Sequence, residues 1–273
     1  MRLSDLGELG LLAELERHGL VEGIEDDAAQ LDGLVVTQDS LVEGVHFRLD
    51  WLSWRELGFR AAAVNISDLA ASGARPEILL VSLGAPAETE AAAVLELYRG
   101  IAEAGVVVRG GDTTEAAEVV ITVTAVGAAE RVPGRGGARA GDLLVVTGPL
   151  GAAGAAFRRQ SFVRPPLRVD EGVRLAHAAH AMLDISDGLA RDAGHIAERS
   201  GCQLVIELER VPLAAGATTD DLGFGEDFEL LAATLDPGEF PVIGRCEAGR
   251  GVEIVDAGRT VELGGWDHFR RIT

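Results

Sequence analysis

Seven aspartates fall in five short motifs: Asp26-Asp27-Ala28-Ala29, Thr37-Gln38-Asp39-Ser40, Asn65-Ile66-Ser67-Asp68-Leu69, Gly110-Gly111-Asp112-Thr113-Thr114 and Leu183-Asp184-Ile185-Ser186-Asp187-Gly188. Each motif sets carboxylates among Gly, Ala, Ser or Thr at the end of an apolar run, where strand tips and tight turns present oxygen ligands. Oxygen donors from separate segments suit magnesium, which keeps several waters and is usually held by few carboxylates plus phosphate oxygens. With the hydroxyls of Thr37, Ser40 and Ser186, such a set can hold several ions along one polyphosphate. That chemistry is phosphoryl transfer, in which cations screen two anions that must meet in line. A phosphate oxygen acting as nucleophile is already ionised at neutral pH, so no general base is demanded.

The chain has no lysine; all 24 basic residues other than histidine are arginine. This excludes the P-loop lysine, the protein-kinase lysine and Schiff-base chemistry. Any bound phosphate must therefore be neutralised by metals and arginines. The formal charge of −20 over 273 residues argues against a nucleic-acid partner and against anionic membrane surfaces. No secretory signal and no long apolar run is visible, and Cys202 and Cys246 lack metal-ligand spacing, which fits a reducing cytoplasm and two small core residues.

Two units position these motifs. Leu6, Leu9, Leu12 and Leu15 predict a short amphipathic first helix, and Leu34 to Thr37 a strand delivering Asp39 at its exit. Ser53-Trp54-Arg55-Glu56 has the form of a capping box, opening a helix towards Gly73 on which Asn65 and Asp68 share a face. Residues 78–83 read as a strand, 88–104 as a helix, 106–108 as a buried strand and 119–126 as a half-buried antiparallel strand. The Gly- and Arg-rich stretch from Gly134 to Gly141 reads as a domain boundary, giving units 1–135 and 136–273. Beyond it come strand 143–147, a helix through Phe157, helix 168–180, and helix 188–200 stopped by Gly201. Strands 204–206 and 228–235 follow, then short strands from 242 to 263. Taken singly, Asp26-Asp27 also reads as a turn and Asp68 as a helix-surface carboxylate. Gly148-Pro149-Leu150-Gly151 also reads as a helix start, His46 as a half-buried histidine with one hydrogen bond, and Trp266 as a packed aromatic.

In chain order, Asp26 to Ala29, Thr37 to Phe47, Ala63 to Ala74, Gly110 to Thr114, Asp184 to Leu189 and Gly225 to Leu230 resemble the thiamine-monophosphate kinase family. That family belongs to the aminoimidazole-ribonucleotide-synthetase-like superfamily. The resemblance implies a two-domain α+β fold: an N-terminal mixed or antiparallel sheet with helices that forms a homodimer, and a C-terminal α/β sandwich. It also implies ATP-dependent phosphorylation of thiamine monophosphate to thiamine diphosphate in the cytoplasm, with several magnesium ions as cofactors and potassium as a further candidate.

By the same resemblance Asp27, Thr37, Gln38, Asp39, Asp68, Asp112, Asp184 and Asp187 are magnesium ligands, with Asp39, Asp112 and Asp184 catalytic. Gly111, Asp112, Arg135, Ser186 and Tyr98 contact ATP, while His46 and Glu226 face the thiamine phosphate and Trp266, also substrate-binding, stacks on a thiamine ring. Four departures stand out: Glu25 in place of a glycine, Gln38 in place of a threonine, a helix after Tyr98 about one turn shorter, and Gly223-Phe224-Gly225 in place of a serine-glycine-glycine turn. Another ATP-using synthetase of the superfamily, or a non-catalytic nucleotide or thiamine-phosphate binder, are the alternatives. Against the first, no amino-terminal cysteine is present; against the second, Asp39, Asp112 and Asp184 are intact.

Overall fold

One helix organises the molecule. Trp54–Ala71 (α2 below) buries 14 of its 18 residues, and a helix covered on all sides belongs inside rather than on a surface. Its start is fixed by Ser53, whose hydroxyl accepts the Glu56 N–H at 3.3 Å while the Glu56 carboxylate accepts the Ser53 N–H at 2.7 Å. In the computed structural model, which describes residues 2–24 and 26–266, α2 lies between two sheets. Glu25 lies outside the described residues.

The first unit comprises α1 (Leu3–Arg17), β1 (Ala29–Leu31), β2 (Leu34–Val42), α2 (Trp54–Ala71), β3 (Arg75–Ala85), α3 (Ala91–Glu103), β4 (Val107–Glu115) and β5 (Val120–Ala128). Its sheet runs β1-β2-β5-β3-β4, antiparallel except for the parallel β3–β4 pair. Ile121, Val123 and Ala125 of β5 are buried against α2, while Thr122 and Thr124 face the open side. The Thr–Val alternation of this strand demands that arrangement. Helices α2 and α3 cross backbone to backbone at Gly58 and Gly100. A Cβ on Gly58 would collide with the Leu97 carbonyl, and one on Gly100 with that of Arg55.

The second unit comprises β6 (Leu143–Val146), α4 (Ala152–Arg158), α5 (Val169–Ala176), β7 (Ala181–Asp184), α6 (Leu189–Ser200), β8 (Gln203–Glu207), β9 (Leu230–Thr234), β10 (Val242–Glu247), β11 (Gly251–Asp256) and β12 (Arg259–Val261). Its sheet runs β12-β11-β8-β10-β6-β9-β7, antiparallel except for β11–β8. Leu144, Val146, Leu183 and Leu231 pack with α6 on one face. Val145, Met182, Leu230 and Ala232 pack on the other against α5 and against Ala70 and Ala71 of α2. Strands covered on both faces read as continuous apolar runs, as 143–146 and 181–183 do. The fold is α+β, built from two such sheet-and-helix units. Cys202 and Cys246 are buried thiols of the second core.

Two expectations are corrected. Val106 to Val108 is not a buried strand: β4 is the edge of its sheet, and Val107 is 49% exposed while Val106 and Val108 lean on the core. With a partner on one side only, the apolar run covers a rim rather than filling an interior. The first helix is present but carries a break at Gly7 (φ 70°) and stays largely solvent-exposed.

Candidate active site

The middle of β2, the last turns of α2 and the exit of β7 converge at one end of a cavity of about 680 Å³ between the two sheets; Asp39, expected at a strand exit, lies inside β2, which stays paired with β5 to Val42. Strand alternation aims Thr37 and Asp39 at α2. The Thr37 hydroxyl donates to Asp68 at 2.6 Å, and the Asp39 N–H donates to the buried Asn65 carboxamide at 2.9 Å. Immediately before Asp68, Ser67 reaches across to the second unit and donates to Asp184 at 2.5 Å.

Asp27, Asp68 and Asp184 thus offer carboxylate oxygens all within 4.8 Å of one another. Burial, then the charges of Asp39, Asp184 and Asp27, holds the Asp68 carboxyl well above the usual carboxylate range. Burial and the charge of Asp27 push Asp184 up to about 7. Asp27 is raised by burial against the pull of Arg135, whose Nε and a terminal nitrogen donate to it at 3.0 and 2.5 Å. A donor set of hard oxygens that repel one another is what a magnesium-like cation relieves, so these residues fit that ion.

A loop from the exit of β7 to the start of α6 carries Ser186 and Asp187. It is shaped by Asp192, a buried carboxylate in the first turn of α6. One Asp192 oxygen accepts the N–H groups of Ser186, Asp187 and Gly188 at 3.0, 2.9 and 3.0 Å. Asp187 pairs with Arg191 at 3.1 Å, and its carbonyl accepts the Trp266 N–H at 2.9 Å. His195, one turn further along α6, also lines the cavity; burial, Arg135, Arg191 and Arg199 press its imidazole down to about 4, so it is neutral at physiological pH.

The strap Gly225 to Glu229 bounds the cavity beyond that loop. Glu226 and Phe228 sit at φ 58° and 52°, a left-handed conformation that costs a non-glycine residue about 1 kcal/mol and persists only where neighbours enforce it. The enforcement comes from each side chain's partner. Asp227 accepts Gly151 N–H at 2.8 Å and Ala152 N–H at 3.1 Å, Glu229 takes both forks of Arg168 at 2.7 Å, and Glu226 pairs with the buried Arg60. Burial, against those N–H bonds, lifts Asp227 to about 7. Next to the strap, Phe224 packs on Phe157 with ring centroids 4.9 Å apart, and Phe157 on Trp51 at 5.5 Å.

Of the residues singled out from the sequence, Asp27, Thr37, Gln38, Asp39, His46, Asp68, Arg135, Asp184, Ser186, Asp187, Glu226 and Trp266 line this one cavity. The side chain of Gln38 turns to the opposite face of β2, where its amide oxygen accepts the Thr124 hydroxyl at 2.8 Å. His46 accepts the Val42 N–H on Nδ1 at 3.0 Å, leaving Nε2 to carry the ring's proton. Gly111, Asp112 and Tyr98 do not line the cavity. Gly111 (φ 146°) and Asp112 lie on exposed β4, and the glycine is required there because any Cβ would overlap the Val81 backbone. Tyr98 packs half-buried on the first core.

Arg60, Asp192, Asp227, His195 and the Trp51–Phe157–Phe224 wall were not singled out from the sequence as site residues. Asp192, four residues after Gly188 in a first helical turn, and Arg60, in an otherwise apolar helix, carried a local signal. The aromatic wall did not, since its members lie far apart in the chain.

Two family models match the chain: "AIR synthase related protein, N-terminal domain" over residues 25–129 and "AIR synthase related protein, C-terminal domain" over residues 139–265. The chain is 35% identical to the thiamine-monophosphate kinase of Aquifex aeolicus (strain VF5), covering 98% of this chain and 100% of that one. It is 36% identical to that of Mycobacterium tuberculosis (strain H37Rv), covering 98% and 93%. Among solved structures it is similar to AaThiL complexed with AMPPCP and TMP, with TM-score 0.89, 33% identity and coverage of 98% and 99%. A HypE–HypF complex, at TM-score 0.78 and 19% identity over 94% and 100%, shares the fold.

Proposed function

This chain belongs to the thiamine-monophosphate kinase family of AIR synthase related proteins, and from that premise we propose that it transfers the γ-phosphoryl group of ATP directly to the phosphate of thiamine monophosphate, giving thiamine diphosphate and ADP. The observation that carries the reading is the convergence of Asp27, Asp68 and Asp184 from three segments onto one end of a cavity that has an aromatic and charged wall elsewhere. It is supported by a relative of 33% identity holding AMPPCP and TMP together.

In this mechanism Asp27, Asp68 and Asp184 would hold magnesium, with Thr37, Asp39 and Asp187 as the neighbouring oxygen donors, while the Gln38 side chain stays on the opposite face of β2. Bound there, the ions supply Lewis-acid screening of phosphate charge. Asp39 and Asp184, on β2 and β7, keep the ligands of the two units in register, so that docking of the units sets the alignment of donor and acceptor. Arg135 and Ser186 bind the nucleotide phosphates, Arg135 exchanging its hold on Asp27 for them. His46, Glu226 and Trp266 face the acceptor. No residue takes a proton from the nucleophile, because a phosphate oxygen is already ionised.

The unit boundary is placed between residues 135 and 136, and the working species is a cytoplasmic homodimer. Two buried thiols without a disulfide suit that compartment. Edge strand β4 and the open face of its sheet, with Leu80 and Val107 exposed at 37% and 49%, suit pairing with a second copy. Gly111 and Asp112 then lie at the junction between copies, where Asp112 serves a magnesium ion and Gly111 the nucleotide. Tyr98 is kept as a nucleotide contact only in that assembly.

The test is direct. The protein is incubated with ATP, magnesium and thiamine monophosphate, and thiamine diphosphate and ADP are quantified by chromatography. Equimolar appearance of both is expected, and a folded protein that forms neither overturns the proposal.

A further inference from the structure

Arg60 is the arginine most withdrawn from solvent along the cavity. Its side chain is 9% exposed, against 25% for Arg135, 18% for Arg191 and 58% for Arg48. It lies on the cavity face of α2 in the row Arg60, Val64, Asp68, so about 12 Å along the helix axis separates it from the carboxylate cluster. Burying a guanidinium that deeply is expensive unless a partner compensates. Glu226 compensates it, from a backbone conformation that an ordinary residue avoids.

From Glu226 the wall continues through Phe224 to Phe157 and Trp51. This end of the cavity therefore presents the buried Arg60, its partner Glu226 and a wall of packed rings, with the far more exposed Arg48 lying over Trp51 at 5.2 Å. The other end presents Asp27 bound by Arg135, with Arg191 and His195 close by.

A zwitterion with a flat ring is the ligand such a wall complements. A carboxylate next to a nucleoside polyphosphate would meet only like charge. Thiamine monophosphate carries a cationic thiazolium and a dianionic phosphate, and its two charges match Glu226 and Arg60 respectively.

Resting on the kinase reading above, we propose that Arg60 binds the phosphate of the acceptor and that the Arg60–Glu226 pair selects acceptors whose ring is positively charged. On binding, the guanidinium turns part of its fork from Glu226 to phosphate oxygens, a geometry it meets with parallel N–H donors. Glu226, released in part, faces the thiazolium. Arg60 also holds the acceptor at a set distance from the cation-binding cluster because both are anchored on one rigid helix.

The test compares Arg60→Met, Arg60→Lys and Glu226→Gln with the parent chain. KM is measured separately for thiamine monophosphate and for ATP, and calorimetry follows binding of thiamine monophosphate without nucleotide. A charged hydrogen bond to phosphate predicts a rise of about 10- to 100-fold in KM and Kd for thiamine monophosphate in Arg60→Met, with KM for ATP within about twofold. Arg60→Lys, which keeps a cation without the fork, falls between.

For Glu226→Gln the readout is selectivity against the neutral isostere in which a thiophene replaces the thiazolium. The parent prefers the charged acceptor by about 10-fold or more, and the variant loses that preference. Unchanged thiamine monophosphate affinity in Arg60→Met overturns the proposal. So does a parallel rise in both KM values, which would make Arg60 structural, and so does retained selectivity in Glu226→Gln. Failure of the parent to make thiamine diphosphate is a different result and strikes the kinase reading instead.

Discussion

Replacing Asp68 with asparagine is expected to make the metal-free protein more stable and the enzyme nearly inactive. Asp68 shares a site with Asp27 and Asp184, the three offering oxygens within 4.8 Å of one another. Two full charges at that separation repel by about 3.5 kcal/mol at an effective dielectric constant near 20. Part of this is avoided by proton uptake, which is why burial and the neighbouring Asp39, Asp184 and Asp27 hold Asp68 well above its ordinary range. Asparagine has the same shape and still offers an oxygen to the Thr37 hydroxyl, so it removes the repulsion without a cavity or an orphaned donor.

The net gain in metal-free stability is about 1 to 3 kcal/mol, and each kcal/mol moves the melting temperature of a chain this size by roughly 2 to 4 °C. Magnesium reverses the order. It stabilises the parent by mass action and the variant much less, because one ligand charge is gone. Thermal unfolding followed by circular dichroism, first in EDTA and then across a magnesium titration, reads both effects, while turnover falls by about 100-fold or more. A variant that melts below the parent in EDTA, or that gains as much from magnesium as the parent does, refutes the claim that these carboxylates form a strained cation site.

Three further outcomes are expected. In EDTA, stability should fall as pH rises from about 4 to about 7: folded Asp184 and Asp227, each with a pKa of about 7, keep protons that the unfolded chain has lost near 3.8. His195 contributes the opposite sign between about 6.5 and about 4, so the carboxylates must outweigh it. Urea denaturation across that range checks the slope, and Asp227→Asn should flatten it. Asp192→Ala leaves three backbone N–H groups without their acceptor and should cost about 2 to 4 kcal/mol with a raised KM for ATP. Asp192→Asn, retaining an oxygen, should recover most of both; equal loss in the two variants would show that the loop does not depend on those bonds. Sedimentation at micromolar concentration should give twice the chain mass of 28.5 kDa, and Leu80→Asp with Val107→Asp should reduce it to one chain mass. A parent that stays monomeric while fully active would contradict the assembly.

Local chemistry carried much of this protein. The capping box at Ser53 started α2 where the motif stands, the Thr–Val alternation of 119–126 became the half-buried β5, and Gly201 ended α6 in the left-handed conformation that glycine accepts. Each of these depends on neighbours within a few residues, which is why the chain alone shows it. The carboxylates, too, were legible as ligands from their small neighbours and their place at the ends of apolar runs, and the motif order pointed to the family to which the chain belongs.

What the chain could not display is which of those carboxylates meet. Asp27, Asp68 and Asp184 come together because α2 is wedged between two sheets and Ser67 ties it to β7, whereas Asp112, in a motif of the same kind, is carried to an exposed edge by the parallel pairing of β4 with β3. Arg60 against Glu226, and Trp51 against Phe157, are partnerships across the gap between units. Sequence records the valence of each residue, while distance and desolvation, which decide which carboxylates crowd together and which arginine is buried against a carboxylate, exist only once the two sheets have closed on one helix.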